Sequence, residues 1–161
     1  MPQSTNKPLV HFMTGTGTLP RNPKNRIEYL RYALTGEPRL SAKDLIERLP
    51  EVQQFARVSV EAEDFIPYDQ PEELKALSLR LTTHFQDPHL AGIVFSHGTN
   101  NIEETAYFLN LTVKSDNPVV IVGAQRPFSV LSSDGPANLL NAIRVAADPS
   151  SRGKGTLVVL N

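Results

Sequence analysis

The sequence contains no cysteine, no marked excess of one charge and no long apolar run. Without cysteine, the chain cannot use disulfide bonds, cysteine-ligated zinc or a thiol nucleophile. A formal net charge of −1 gives none of the basic character of proteins that bind nucleic acid or anionic membranes. No apolar stretch approaches the ~20 residues that span a bilayer, and residues 1–10 lack a signal-peptide core. We therefore expect a cytoplasmic protein that has neither nucleic acid nor a membrane as a partner.

Apolar residues are plentiful enough to build a core. They make up 40% of the 161 residues, which suits one domain of ordinary size, and we predict a single domain over residues 1–161. Residues 19–40, with three prolines and one glycine, are long for a connection within a domain. Such segments are often lids, so we predict a lid that brings Tyr29 or Tyr32 over a ligand. Packing of either tyrosine against the body of the domain is an equal alternative.

The strongest local pattern lies in residues 92–109, GIVFSHGTNNIEETAYFL. Its apolar start predicts a buried strand, and apolar residues at helical spacing from Ile102 onward predict a helix. The polar turn between them, residues 96–101, leads directly into the start of the helix. Backbone N–H groups converge at such turns, where α/β proteins place ligands, so we expect Thr99 and Asn100 to face a ligand.

Polar residues also mark three helix starts, because their side chains can cap the free N–H groups of a first turn. The predicted caps are Ser41 with Asp44, Asn101 with Glu104, and Ser133 or Asp134 ahead of Pro136.

Strand and helix patterns alternate along the chain in the order β-α-β-α-β-α-β-α-β. This alternation predicts an α/β fold, a doubly wound parallel sheet with helices on both faces. Three polar turns follow predicted strands, at residues 14–18, 96–101 and 123–127. Because the carboxyl ends of parallel strands lie at one edge of the sheet, we expect the three turns to meet there and form a ligand site.

A short acidic stretch at residues 61–64 is a weak metal signal. Carboxylates bind hard cations, but adjacent carboxylates on a loop are more often solvated. We therefore predict neither a metal site nor a cofactor.

Three segments closely resemble the N-terminal domain of bacterial-type L-asparaginases and glutaminases. They read HGTNNIEETAYFLNLTVKSDNPVVIVGAQRP, SSDGPANLLNAIRVAA and GTLVVLN. The resemblance runs over nearly the whole chain and is most specific from residue 92 onward. It implies an α/β domain that holds the active site, and a homotetramer built from close dimers. It also implies a smaller C-terminal domain, which we expect this chain to lack.

The resemblance implies a reaction that uses two threonines. The family's nucleophile lies in a Thr-Gly-Gly-Thr turn after the first strand, and an ungapped match from Leu9 places Thr18 there. Thr99 matches the second threonine. A hydroxyl is a poor nucleophile until a base takes its proton, so the pair must belong to a relay. Attack on a side-chain amide would give an acyl-enzyme and ammonia, with backbone N–H groups of the turns stabilising the oxyanion.

Four other residues match substrate-binding positions of the family. They are Gly98, Asn100, Ala124 and, more loosely, the lid tyrosine Tyr32.

The chain also departs from the family pattern. Asn100 replaces the aspartate that holds the substrate's ammonium group, and Ile66 stands where a substrate-binding serine is expected. Loss of a charge-assisted hydrogen bond costs about 1.5–3 kcal/mol, or roughly ten- to a hundredfold in binding. The family's catalytic lysine lies beyond the last strand, and the chain ends before it.

Three further residues near the turns are expected to support the fold. We expect His97 to be structural, Arg126 to anchor its loop, and Asp134 to act as an N-cap rather than as active-site support.

The function indicated is an asparaginase-like amidohydrolase of weak or altered activity, acting on an amide or amino-acid-like small molecule. One alternative is a binding subunit that has lost the reaction and pairs with itself or with a complementing chain. Another is a pocket adapted to a different, less charged small molecule.

Overall fold

The computed structural model describes residues 7–34, 36 and 38–161. Strands and α-helices alternate in it as the sequence predicts. They are β1 (Leu9–Thr14), α1 (Ala42–Glu47), β2 (Arg57–Val60), α2 (Pro71–His84), β3 (Leu90–Ser96), α3 (Ile102–Thr112), β4 (Val119–Val122), α4 (Gly135–Ala147) and β5 (Thr156–Val159). Short 3₁₀ helices, Pro50–Gln54 and Pro149–Ser151, precede β2 and β5.

The strands form a parallel sheet in the order β2-β1-β3-β4-β5. The chain moves outward from β1 to β2 and then crosses back to place β3 on the other side of β1. The direction of winding therefore reverses between β1 and β3. At such a switch point the turns after the two strands diverge to opposite faces and leave a crevice for a ligand.

Alternate residues of the strands supply two apolar layers. Val10, Phe12 and Val94 pack with residues of α1 and α4 on one face of the sheet. Met13 and Ile93 pack with residues of α2 and α3 on the other face. The predicted doubly wound sheet with helices on both faces is confirmed. In the described part of the chain, no helix is both long enough and apolar enough to cross a membrane.

The capping predictions have different outcomes. In α1 the Asp44 N–H donates to Ser41 Oγ at 3.0 Å, and the Ser41 N–H donates to Asp44 Oδ2 at 2.9 Å. That capping box is confirmed. Asn101 is the N-cap residue of α3 by position. However, its backbone (φ −141°, ψ 31°) is not the extended conformation usual at an N-cap, and its side chain makes no cap hydrogen bond. The predicted box with Glu104 is therefore wrong. Asp134 precedes α4 and also makes no cap bond.

The segment predicted as a lid, residues 19–40, has no regular helix or strand among its described residues. Its base is fixed, because Leu19 is buried and the Leu40 N–H donates to the Pro20 carbonyl at 2.7 Å. Leu30, in contrast, is almost fully exposed. The segment is thus attached at its base and solvated further out, and its motion stays a prediction.

Candidate active site

The three polar turns singled out in the sequence follow β1, β3 and β4, all at the carboxyl edge of the sheet. They are named turn 1 (residues 14–18), turn 2 (residues 96–101) and turn 3 (residues 123–127).

Glycines allow these turns to lie against one another. A Cβ atom on Gly17 would lie 2.7 Å from the Gly98 nitrogen, and Gly17 has a φ of +127° that side chains disfavour. A Cβ atom on Gly123 would lie 3.1 Å from Thr99 Cγ2. Turn 1 therefore contacts turn 2, and turn 2 contacts turn 3. The predicted meeting of the turns at one edge is confirmed.

Tyr68, in the irregular segment between β2 and α2, joins turn 1 to turn 2. Its hydroxyl donates to the Thr16 carbonyl at 2.9 Å and accepts from the Gly98 N–H at 2.7 Å. Its ring is buried and stacks on His97 with the ring centroids 3.7 Å apart. Burial raises the pKa of Tyr68, so the hydroxyl keeps the proton that it donates. No local sequence pattern indicates this role of Tyr68, because its partners lie about 30 and 50 residues away along the chain.

His97 in turn 2 is held as a neutral ring. Its Nδ1–H donates to the Gly98 carbonyl, and its Nε2 accepts from Thr105 Oγ1 at 2.9 Å. Burial lowers the pKa of His97, which favours the same neutral form. Since both ring nitrogens are engaged within the fold, the geometry agrees with the structural role expected for this residue.

Thr18 of turn 1 contacts the segment predicted as a lid. Its Oγ1 lies 2.9 Å from the hydroxyl oxygen of Tyr32, at hydrogen-bond distance, and both residues are half-buried. Tyr29 of the same segment lies under the guanidinium of Arg126, 5.4 Å from the ring centroid. The segment therefore reaches both turn 1 and turn 3.

The other predicted site residues occupy the neighbouring turns. Thr99 is half-buried, Asn100 is exposed, and Ala124 is buried in turn 3. The N–H and carbonyl of Gly98 already have partners in Tyr68 and His97. Gly98 therefore allows the backbones of turns 1 and 2 to approach closely, and its N–H group is not free to bind a ligand.

Asp134 organises turn 3. Its carboxylate accepts from the N–H groups of Gln125 and Arg126 at 2.8 and 2.9 Å, and from Asn138 Nδ2 at 3.0 Å. Asp134 occupies the predicted N-cap position of α4, but its carboxylate makes no cap bond because these donors engage it. Ser133, the other predicted cap, accepts from the Gly135 N–H at 3.1 Å through its Oγ. Arg126 donates from Nη1 to the Ser132 carbonyl at 2.9 Å, so its predicted loop-anchoring role is confirmed.

The carboxylates of the acidic stretch after β2 have separate partners, although Glu63 itself is exposed. Asp64 accepts from Thr14 Oγ1 at 3.0 Å and from the Ala42 N–H at 2.7 Å, which ties turn 1 to the start of α1. Glu63 pairs with Arg80 at 2.6 Å. The third carboxylate of the stretch faces two histidines, described below.

Comparison with known proteins identifies the family. A family model described as "Asparaginase, N-terminal" matches residues 10–161. The chain belongs to the asparaginase family. The resemblance predicted from the sequence is therefore confirmed, and the asparaginase N-terminal model covers all three turns.

Individual relatives support the same family assignment. L-asparaginase 2 of Bacillus subtilis (strain 168) is 48% identical over 124 residues, which are 76% of this chain and 33% of the relative. Probable L-asparaginase 4 of Schizosaccharomyces pombe is 36% identical over 151 residues, 90% of this chain and 40% of the relative. The crystal structure of a probable cytoplasmic L-asparaginase from Campylobacter jejuni matches with a TM-score of 0.83 and 34% identity, over 97% of this chain and 46% of that one. The chain thus spans between a third and a half of the length of these asparaginase-family proteins.

Proposed function

We propose that the protein hydrolyses the side-chain amide of asparagine or of a related small molecule, with Thr18 as the nucleophile. The observation that carries the proposal is the contact between Thr18 Oγ1 and the Tyr32 hydroxyl at the β1–β3 switch point. A nucleophilic hydroxyl needs a neighbouring group through which its proton can leave. Membership of the asparaginase family supports amide hydrolysis as the reaction class.

The reaction has two stages. Thr18 Oγ bonds to the amide carbon as it loses its proton, the carbon–nitrogen bond breaks, and the nitrogen gains one proton and leaves as ammonia. Water then attacks the resulting ester, which releases a carboxylic acid and restores the Thr18 hydroxyl. In the first stage the Tyr32 oxygen takes the Thr18 proton while the Tyr32 proton passes to the departing nitrogen. Thr99, on the adjoining turn 2, is proposed as the second hydroxyl of the site.

The substrate pocket that we propose is less charged than one built for a free amino acid. Asn100 offers a neutral amide at the position where a carboxylate would hold an ammonium group. The Ile66 N–H donates to the Thr14 carbonyl at 2.8 Å, and its buried apolar side chain offers no hydroxyl. Each missing charge-assisted contact weakens binding by roughly ten- to a hundredfold. We therefore propose weak activity on asparagine, or a less charged amide as the better substrate.

Ammonia release tests the proposal, with asparagine and glutamine offered separately to the purified protein. We expect release that falls by at least about a thousandfold in Thr18→Ala, since removal of a nucleophile costs orders of magnitude. Thr16→Ala is the matched control, because it removes a hydroxyl from the same turn but leaves the carbonyl that Tyr68 contacts. Release that survives in Thr18→Ala, or that depends on Thr16 instead, would refute the assignment.

A second candidate function is a binding subunit without turnover, and one observation favours it. The sheet ends at β5, where Val158 and the following Leu160 are 43% and 42% exposed. An uncovered edge strand with apolar side chains is a surface for another chain, either a second copy or a complementing subunit. This candidate predicts a stable assembly that releases no ammonia. For either function we expect a cytoplasmic location, in line with the name of the Campylobacter jejuni relative.

A further inference from the structure

A second cluster of side chains, two imidazoles and a carboxylate that can each bind a metal ion, lies away from the three turns. His11 is in the middle of β1, Glu61 directly follows β2, and His84 is the last residue of α2. Each of the three residues offers one ligand atom, a ring nitrogen or a carboxylate oxygen, and these atoms all lie within 4.8 Å of one another. Three of the seventeen acidic residues, Glu61, Glu63 and Asp64, directly follow β2, but only Glu61 turns toward these imidazoles among the residues that the structure describes.

The central anomaly of this cluster is the His11 ring. His11 is 8% exposed, and its buried Nε2 has no hydrogen-bond partner among the described residues. That nitrogen points toward Glu61 Oε2, but at 3.7 Å the two atoms are too far apart for a hydrogen bond. A buried polar atom left without a partner costs free energy, so an explanation is needed. Burial, together with the neighbouring His84, lowers the pKa of His11 and favours its neutral ring.

The remaining polar atoms of the cluster are held in ligand-like orientations. His11 Nδ1 lies 2.9 Å from Ser59 Oγ on the adjacent strand. A proton on Nδ1, donated to Ser59, leaves the Nε2 lone pair free. Glu61 Oε1 accepts from the Ala62 N–H at 2.9 Å, which aims Oε2 at the two imidazoles. Metal-binding residues are usually oriented by such outer contacts.

We propose that His11, Glu61 and His84 bind a divalent transition-metal ion, zinc by preference. Two imidazole nitrogens and one carboxylate oxygen suit zinc and similar ions, whereas magnesium and calcium prefer oxygen ligands alone. A tetrahedral zinc ion with bonds of roughly 2.0–2.1 Å holds its ligand atoms about 3.3 Å apart. The distances from Glu61 Oε2 to the two nitrogens, 2.8 and 3.7 Å, lie on either side of that value. Both carboxylate–imidazole distances are therefore close to those of a metal site.

The ion would enter from the side of α2. The His84 side chain is 31% exposed and that of Glu61 is 15% exposed, so the cluster opens to solvent while His11 forms its buried wall. On binding, the ion takes the place of the proton that His84 Nε2 donates to Glu61. Three protein ligands leave a fourth position for water. The bound ion would join the end of α2 to β1 and β2. It touches none of the three turns, so the proposal does not depend on the proposed amidohydrolase activity.

Zinc titration of the purified protein, in a buffer that does not chelate metals, tests the proposal. We expect one zinc ion per chain and saturable binding. Cobalt in the same site should give visible absorption of the intensity typical of four- or five-coordinate ions. Magnesium should not compete. His84→Ala removes a partly exposed ligand and should weaken zinc binding at least tenfold, whereas His89→Ala removes an exposed histidine outside the cluster and should not.

Ser59→Ala separates orientation from ligation. It keeps all three ligands but removes the contact to His11 Nδ1, so zinc binding should weaken by about ten- to a hundredfold, with an altered cobalt spectrum. Circular dichroism of each variant establishes that it is folded. Two results would overturn the proposal: no saturable zinc binding by the unchanged protein, or equal zinc affinity in His84→Ala.

Discussion

At the residue scale, Tyr68 positions the site through one oxygen atom that contacts two turns. Tyr68→Phe keeps the ring that stacks on His97 but leaves the Gly98 N–H and the Thr16 carbonyl without this partner. Loss of a partner to a buried polar group costs about 1–3 kcal/mol. We therefore expect urea unfolding to give a free energy of unfolding lower by that amount, and ammonia release to fall as turn 1 loosens against turn 2.

The matched control is Tyr107→Phe, which removes the same atom from an exposed tyrosine on α3. This substitution should change neither the free energy of unfolding nor the rate of ammonia release. If Tyr68→Phe unfolds at the same urea concentration as the unchanged protein, the hydroxyl does not hold the two turns together.

Some site residues could be predicted from sequence and others could not, for a physical reason. Thr99 and Asn100 sit in a strand–turn–helix unit whose whole pattern is local, so their location could be predicted. The partners of Tyr68 and His11 are brought together by strand order and by the path of the chain between β2 and α2. Local patterns contain no information on such pairing.

At the element scale, β3 and α4 pack so closely that one position between them excludes even a methyl group. A Cβ atom on Gly92 would lie 2.6 Å from the Ala146 carbonyl oxygen, which belongs to the backbone of α4 and cannot rotate away. Gly92→Ala must therefore push α4 from the sheet. Overpacking of this kind costs about 1–3 kcal/mol.

We expect the cost to appear as a lower urea midpoint for Gly92→Ala with an unchanged slope, because the same surface is exposed on unfolding. Since α4 begins beside turn 3, substrate affinity should fall as well. An unchanged midpoint would mean that α4 and β3 are not held at this separation.

The presence of each strand and helix could be predicted from the spacing of apolar residues. The residues at which they begin and end depend on contacts that this spacing does not specify. β4 is buried throughout, and its full extent coincides with the run of β-branched residues Val119–Val122, which is typical of a strand buried on both faces. In contrast, the weakly alternating residues 55–60 form a strand only from Arg57, because Phe55 belongs to the end of a 3₁₀ helix. Asp134 occupies the predicted N-cap position of α4, but its carboxylate caps no N–H of that helix, since the neighbouring turn 3 offers it two N–H donors.

At the scale of the whole molecule, the edge strand β5 is the surface on which we expect another chain to dock. Val158 and Leu160 expose apolar side chains there. Light scattering should give a mass above that of one chain, and Val158→Lys should shift it toward the monomer by placing a charge in the contact. Leu79→Lys changes an exposed leucine on α2 and should leave the mass unaltered. A monodisperse monomer for the unchanged protein would contradict the pairing.

The stacked Tyr68 ring has an optical consequence. The chain contains no tryptophan and four tyrosines, so its ultraviolet emission comes from phenol rings alone. Tyr29, Tyr32 and Tyr68 all lie around the turns, and Tyr107 is exposed on α3. Replacing Tyr107 by phenylalanine would leave a protein whose entire intrinsic fluorescence originates beside the proposed nucleophile. Ligand arrival and movement of residues 19–40 could then be followed by light without attaching a label.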